Sequence, residues 1–84
     1  MNSDSAIVIF NIVKRNISVD LEIPLSITAN ELVVALNAAY ELGIDTSDIK
    51  NCYLKAENPI ALLKGNRTLA SVGVRNGTVI YFTE

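Results

Sequence analysis

Thr28 and Glu31 stand three positions apart, the spacing of a reciprocal helix cap in which the hydroxyl serves one free backbone amide and the carboxylate another. Ile27 before the cap and Leu32 after it are placed for an apolar staple across the first turn. From about Ala29 to Leu42 apolar residues recur at intervals of three and four, so that Ala29, Leu32, Val33, Leu36, Ala39 and Tyr40 share one face. Gly43 follows as the residue best able to take the left-handed conformation that ends such a helix. One amphipathic helix cannot bury its stripe alone. In a chain of 84 residues, shorter than a typical domain, the stripe needs a sheet to lie on.

The flanking segments supply the strands. Ile7 to Val13 is almost continuously apolar and rich in β-branched residues, as expected of a strand in the middle of a sheet. Ile17, Val19, Leu21 and Ile23 then alternate with Ser18, Asp20 and Glu22, the period of a half-buried strand, and Pro24 ends it. A two-residue turn at Arg15-Asn16 would join the two as a hairpin with Ile12 opposite Val19 and Phe10 opposite Leu21. Beyond the helix, Asp45 to Asn51 is a polar connection with room for a short helical turn. Cys52 to Lys55 and Ile60 to Leu63 read as short strands around Glu57-Asn58-Pro59, which is turn chemistry. Lys64 to Arg67 is a second turn, Thr68 to Val74 a compact loop, Asn76-Gly77 a third turn, and Thr78 to Thr83 the last strand. With the helix as the crossover, the economical arrangement sets the last strand parallel beside the first. The expectation is an α+β β-grasp, a mixed sheet packed on one amphipathic helix, with residues 1–5 a polar leader and 6–84 one domain.

Composition removes several function classes. Seven basic and nine acidic residues leave a net charge of −2, and the longest basic run is Lys14-Arg15, so nothing here attracts a phosphate backbone and no nucleic-acid partner is expected. Met1 to Ser5 has no basic region of the kind that opens a secretory signal, and Ala6 to Val13 is far shorter than the roughly 20 residues that span a bilayer. A cytoplasmic protein without direct membrane insertion is expected. The absence of histidine removes Ser-His and Cys-His dyads and the commonest metal ligand. Cys52 lies in the apolar run Cys52-Tyr53-Leu54 and reads as core. Asp45 and Asp48 are too few oxygen donors for a calcium site and read as a solvated turn or a cap. The glycines at 43, 65, 73 and 77 form no phosphate-binding pattern. No catalytic, cofactor-binding or metal-binding residues are expected, and the chain reads as a non-enzyme.

Asp20-Leu21-Glu22-Ile23-Pro24 ahead of a capped helix, and Arg67-Thr68-Leu69-Ala70-Ser71-Val72-Gly73-Val74 ahead of the last strand, resemble ubiquitin. With the ending Gly-Val-Arg-Asn-Gly-Thr-Val-Ile at 73–80, the chain is most similar to the small bacterial YukD-like group of ubiquitin-like proteins, associated with type VII secretion systems. That resemblance implies a cytosolic accessory or regulatory factor that binds a cytoplasmic domain of a membrane component of the machinery. Ubiquitin and the sulfur carriers end in a flexible pair of glycines, whereas this chain ends Ile80-Tyr81-Phe82-Thr83-Glu84, so conjugation is not expected. Two other readings stand beside it: a carrier activated at its C-terminus, and a ubiquitin-like adaptor unrelated to secretion.

If Val8, Phe10 and Ile12 face the helix, Ile7 and Ile9 point away, and the same alternation turns Ile80 and Phe82 inward and Val79 and Tyr81 outward. Cys52 and Leu54 go inward, Tyr53 and Lys55 outward. Ile7, Ile9, Tyr53, Lys55, Val79 and Tyr81 are therefore the expected protein-binding residues, because contiguous exposed apolar surface marks interaction sites. A second copy of the chain is an alternative occupant. A weaker stripe, Val34, Ala38 and Leu42, lies on the outer side of the helix.

Overall fold

A computed structural model describes residues 4–83. Strands β1 (Ser5–Ile12) and β2 (Ile17–Pro24) precede helix α1 (Ala29–Tyr40), and β3 (Leu54–Glu57), β4 (Ala61–Leu63) and β5 (Val79–Phe82) follow it. The strands form one sheet in the order β2-β1-β5-β3-β4. β5 runs parallel to β1 and antiparallel to β3, which makes the sheet mixed and places the last strand in its middle. This is the expected β-grasp. Of the expected leader, residues 1–3 lie outside the described residues, and Ser5 already belongs to β1.

The sheet closes on one side only. Val8, Phe10 and Ile12 from β1, Leu54 from β3, Leu63 from β4 and Ile80 from β5 are buried together with Ala29, Leu32, Val33 and Leu36 of the helix. The helix starts where its cap dictates: Glu31 N–H donates to Thr28 Oγ1 at 3.1 Å, and Thr28 N–H donates to Glu31 Oε1 at 2.8 Å. The Thr68 to Val74 loop is strapped to the chain before the helix, with Leu69 N–H on the Ile27 carbonyl at 2.9 Å and Ala70 N–H on the Leu25 carbonyl at 3.0 Å. Leu69 and Val74 drop into the core from that loop.

Three local expectations are corrected. The first hairpin turns through four residues, not two. Val13–Arg15 form a 3₁₀ turn and Asn16 takes the left-handed conformation at φ 55°, so Ile12 pairs with Ile17, Phe10 with Val19 and Val8 with Leu21. The shift in register is two residues, and a two-residue shift returns every side chain to its original face. The helix ends at Tyr40 and not at Leu42, because its last carbonyls find partners there. Arg15 forks onto the carbonyls of Tyr40 and Glu41 at 2.6 Å each, and Glu41 takes the left-handed turn at φ 52°. Leu42, beyond this stop, is buried in the core, which removes it from the outer stripe with Val34 and Ala38; Ala39, expected on the buried face, is exposed. β3 begins at Leu54, two residues later than expected, because Cys52 ends the 3₁₀ helix Thr46–Asn51, donating its backbone N–H to the Ile49 carbonyl at 3.1 Å.

Candidate functional site

Opposite the helix the sheet is uncovered, and the register sets its residues in rows. Directly paired residues of neighbouring strands share a face. One row runs Asp20, Ile9, Val79 and Glu57 across β2, β1, β5 and β3. The next runs Ser18, Asn11, Tyr81, Lys55 and Leu62, reaching β4. Glu22 stands beside Ile7 on the side of the first row away from the second. Of the six residues expected to point outward, the pairing sets Ile7, Ile9, Val79, Tyr81 and Lys55 on this face, while Tyr53 precedes β3 and borders the same depression as Lys55 and Tyr81. Ile7 is 54% exposed and Tyr53 45%, Lys55 is exposed, and Ile9, Val79 and Tyr81 are half-buried by one another.

The face has relief. Tyr53, Lys55 and Tyr81 border a shallow depression of about 340 Å³ whose floor includes Cys52 and Phe82. Lys55 and Tyr81 also border a second, more apolar depression of about 460 Å³ with Glu57, Ile60, Ala61 and Leu62. Tyr81, which with Lys55 lines both, donates its hydroxyl to Glu57 Oε1 at 3.0 Å. That hydrogen bond favours the neutral phenol and raises the Tyr81 pKa, with desolvation and the Glu57 charge adding to it. Tyr81 is therefore a fixed, uncharged, amphipathic knob at neutral pH.

Besides Glu57 at the end of the first row, four contributors were not anticipated on this face. Leu62 is 52% exposed and Ile60, at the tip of the β3–β4 turn, is 90% exposed. Alternation within Ile60 to Leu63 carries the signal for Leu62, since Leu63 faces the core. Asp20 and Glu22 supply an acidic border along β2, where Ser5 Oγ donates to Glu22 Oε2 at 2.7 Å. Their outward alternation was legible; that they border this apolar cluster follows from the pairing with Ile9 and Ile7.

Among the described residues no buried side-chain nitrogen or oxygen lacks a hydrogen-bond partner. The Cys52 thiol is buried and directed at the carbonyls of Asp45 and Asp48, at 3.5 and 3.4 Å. Burial first, and the nearby Asp48 and Asp45 charges second, push its pKa up, the reverse of an activated thiolate. Asp45 caps the 3₁₀ helix, accepting from Ser47 Oγ at 2.6 Å and Ser47 N–H at 3.1 Å, and these donors lower its pKa. Among the described residues no group of three or more His, Cys, Asp or Glu side chains could hold a metal ion. No helix among them is long and apolar enough to cross a membrane.

Comparison with known proteins bears on family and fold. Residues 7–82 match the family model described as WXG100 protein secretion system (Wss), protein YukD. No curated protein sequence matches significantly. Among solved structures, the chain is similar to the C-terminal ubiquitin-like domain of mouse tubulin-specific chaperone e. The TM-score is 0.71 at 13% identity, over 96% of this chain and 87% of that one, a likeness of fold alone.

Proposed function

The chain belongs to the YukD family of the WXG100 protein secretion system, and from that premise we propose that it is a non-enzymatic, cytoplasmic ubiquitin-like module. It serves the type VII machinery as an accessory or regulatory factor that binds a cytoplasmic domain of a membrane component. The observation that carries the reading is the uncovered apolar face of Ile7, Ile9, Tyr53, Val79 and Tyr81, in a sheet whose other side is closed by the helix. A chain of this size stabilises its core by burying apolar groups, and leaving Ile7 and Tyr53 exposed beside the half-buried Ile9, Val79 and Tyr81 is a cost that a partner removes.

The proposed module is not conjugated to targets. β5 supports this, since Phe82 is held in register beside Ile12 and buried, so the chain up to that point is not free to enter an activating enzyme. Mass spectrometry of the protein from its own cell is expected to show no thiocarboxylate or isopeptide adduct at its C-terminal carboxylate; an adduct there would establish the carrier reading instead.

Tyr81→Glu tests the face. Tyr81 is half-buried at the surface and not in the core, so the variant is expected to fold with its circular dichroism unchanged while capture of the secretion component from native cells is lost. Undiminished capture by a folded variant would refute the face as the binding site.

A further inference from the structure

We propose that the open face receives an amphipathic helix whose apolar stripe is flanked on both sides by Lys or Arg. The inference rests on the binding role proposed above and adds the chemistry of the partner.

The charge on the face is one-sided. Asp20 and Glu22 on β2 and Glu57 on β3 contribute three carboxylates, and Lys55 is the single ammonium among the rows described. Asp20 and Glu57 end one row with Ile9 and Val79 between them. Strands lie about 4.8 Å apart, so three strand spacings put these two carboxylates roughly 14 Å from each other. An α-helix with its side chains is about 10–12 Å across, and one laid along β1 and β5 fits between them. Its apolar stripe would meet Ile9 and Val79, and cations on its flanks would reach an acid on either side. Along the strands, Ile7 to the level of Tyr81 covers four residues, or about 13 Å, which two and a half helical turns match. The helix thus needs apolar anchors at i, i+3 or i+4, and i+7.

The same charges disfavour a second copy of this chain. Two such faces brought together would bury an excess of carboxylates, and like charges placed opposite one another oppose association. An acidic-flanked helix is disfavoured for the same reason.

Two blocked peptides of about 18 residues, long enough to be helical, carry leucine at the anchor positions and differ only in Lys or Glu at the flanks. Each is titrated into the full chain while backbone amide shifts are followed by NMR. The Lys-flanked peptide is expected to bind and to shift amides of β1, β5 and β3; the Glu-flanked peptide is expected not to. Asp20→Lys with Glu22→Lys should weaken the Lys-flanked peptide about tenfold, the sum expected from exposed ion pairs lost and repulsion gained, and added salt should weaken it further. The neutral pair Asp20→Asn and Glu22→Gln, which demands less of the edge strand, should give a smaller loss in the same direction. Equal binding of both peptides, an affinity unchanged by either pair of substitutions, shifts confined to the helical side, or a dimer formed through this face would each overturn the proposal. Loss of native capture by Tyr81→Glu alongside such a result would leave the face as a binding site and remove only the basic helix; retention of capture would remove both.

Discussion

Thr78 is the most deeply enclosed polar side chain of the described residues, and it shows how one hydroxyl holds a junction. Its Oγ1 donates to the Asn58 carbonyl at 2.7 Å and accepts from Arg75 N–H at 3.0 Å, tying the β3–β4 turn to the turn before β5. Thr78→Val keeps the shape and removes both bonds. A loss of about 1 kcal/mol in urea unfolding is expected, because both part-buried hydrogen bonds are lost. Tyr81 makes a different prediction. Its hydrogen bond to Glu57 exists only while the phenol is neutral, so Tyr81 should ionise above the ordinary value of 10.0, and Glu57→Gln should bring the tyrosinate absorption back to lower pH. The unfolded chain ionises first as pH rises, so whatever stability the bond contributes is present below about pH 10 and lost as pH climbs through the folded pKa. An unmoved titration in the variant would mean that the bond does not form in solution.

At the scale of the element, the helix is held at both ends by different means. Its start is local: Thr28 and Glu31 satisfy each other's amides, and Thr28→Ala should cost about 1 kcal/mol. Its end is not local, since Arg15 arrives from the hairpin 25 residues earlier to bond the Tyr40 carbonyl. Cations near helix C-termini are favoured by the carbonyl dipoles, and a forked guanidinium can serve two carbonyls at once. Arg15→Ala is expected to cost about 1 kcal/mol in denaturant unfolding, and Arg15→Lys to recover only part, because one ammonium cannot reproduce the fork. Full recovery by lysine would show that charge alone matters. Through Arg15 the hairpin loop is thereby a structural strut for the end of the helix.

For the molecule as a whole, β5 is the keystone. It pairs with β1 on one side and β3 on the other, so it joins the N-terminal hairpin to the β3–β4 pair. A chain ending at Thr78 should lose cooperative unfolding and near-native circular dichroism altogether. Ile80→Ala, at a position 1% exposed, should cost about 2–5 kcal/mol and lower the melting temperature without changing the face. The two sides of this strand therefore separate stability from recognition: inward residues Ile80 and Phe82 set whether the domain exists, and outward residues Val79 and Tyr81 set what it presents.

Local spacing and periodicity were enough for the helix cap, the helix face through Leu36, and the succession of strands along the chain. They were also enough for the sidedness of Ile7, Ile9, Tyr53, Lys55, Val79 and Tyr81, and they stayed so although the hairpin register lay two residues away, because a period of two is indifferent to an even shift. A pattern confined to neighbouring residues carries no information about who stands across the next strand. Tertiary structure alone decided that Arg15 would stop the helix at Tyr40, that Asn76 would offer its side-chain oxygen to Ile7 N–H across 69 positions, and that Tyr81 would lean on Glu57. It alone brought Asp20, Glu22, Glu57, Leu62 and Ile60 around the apolar rows, since pairing register, not local preference, makes distant residues neighbours.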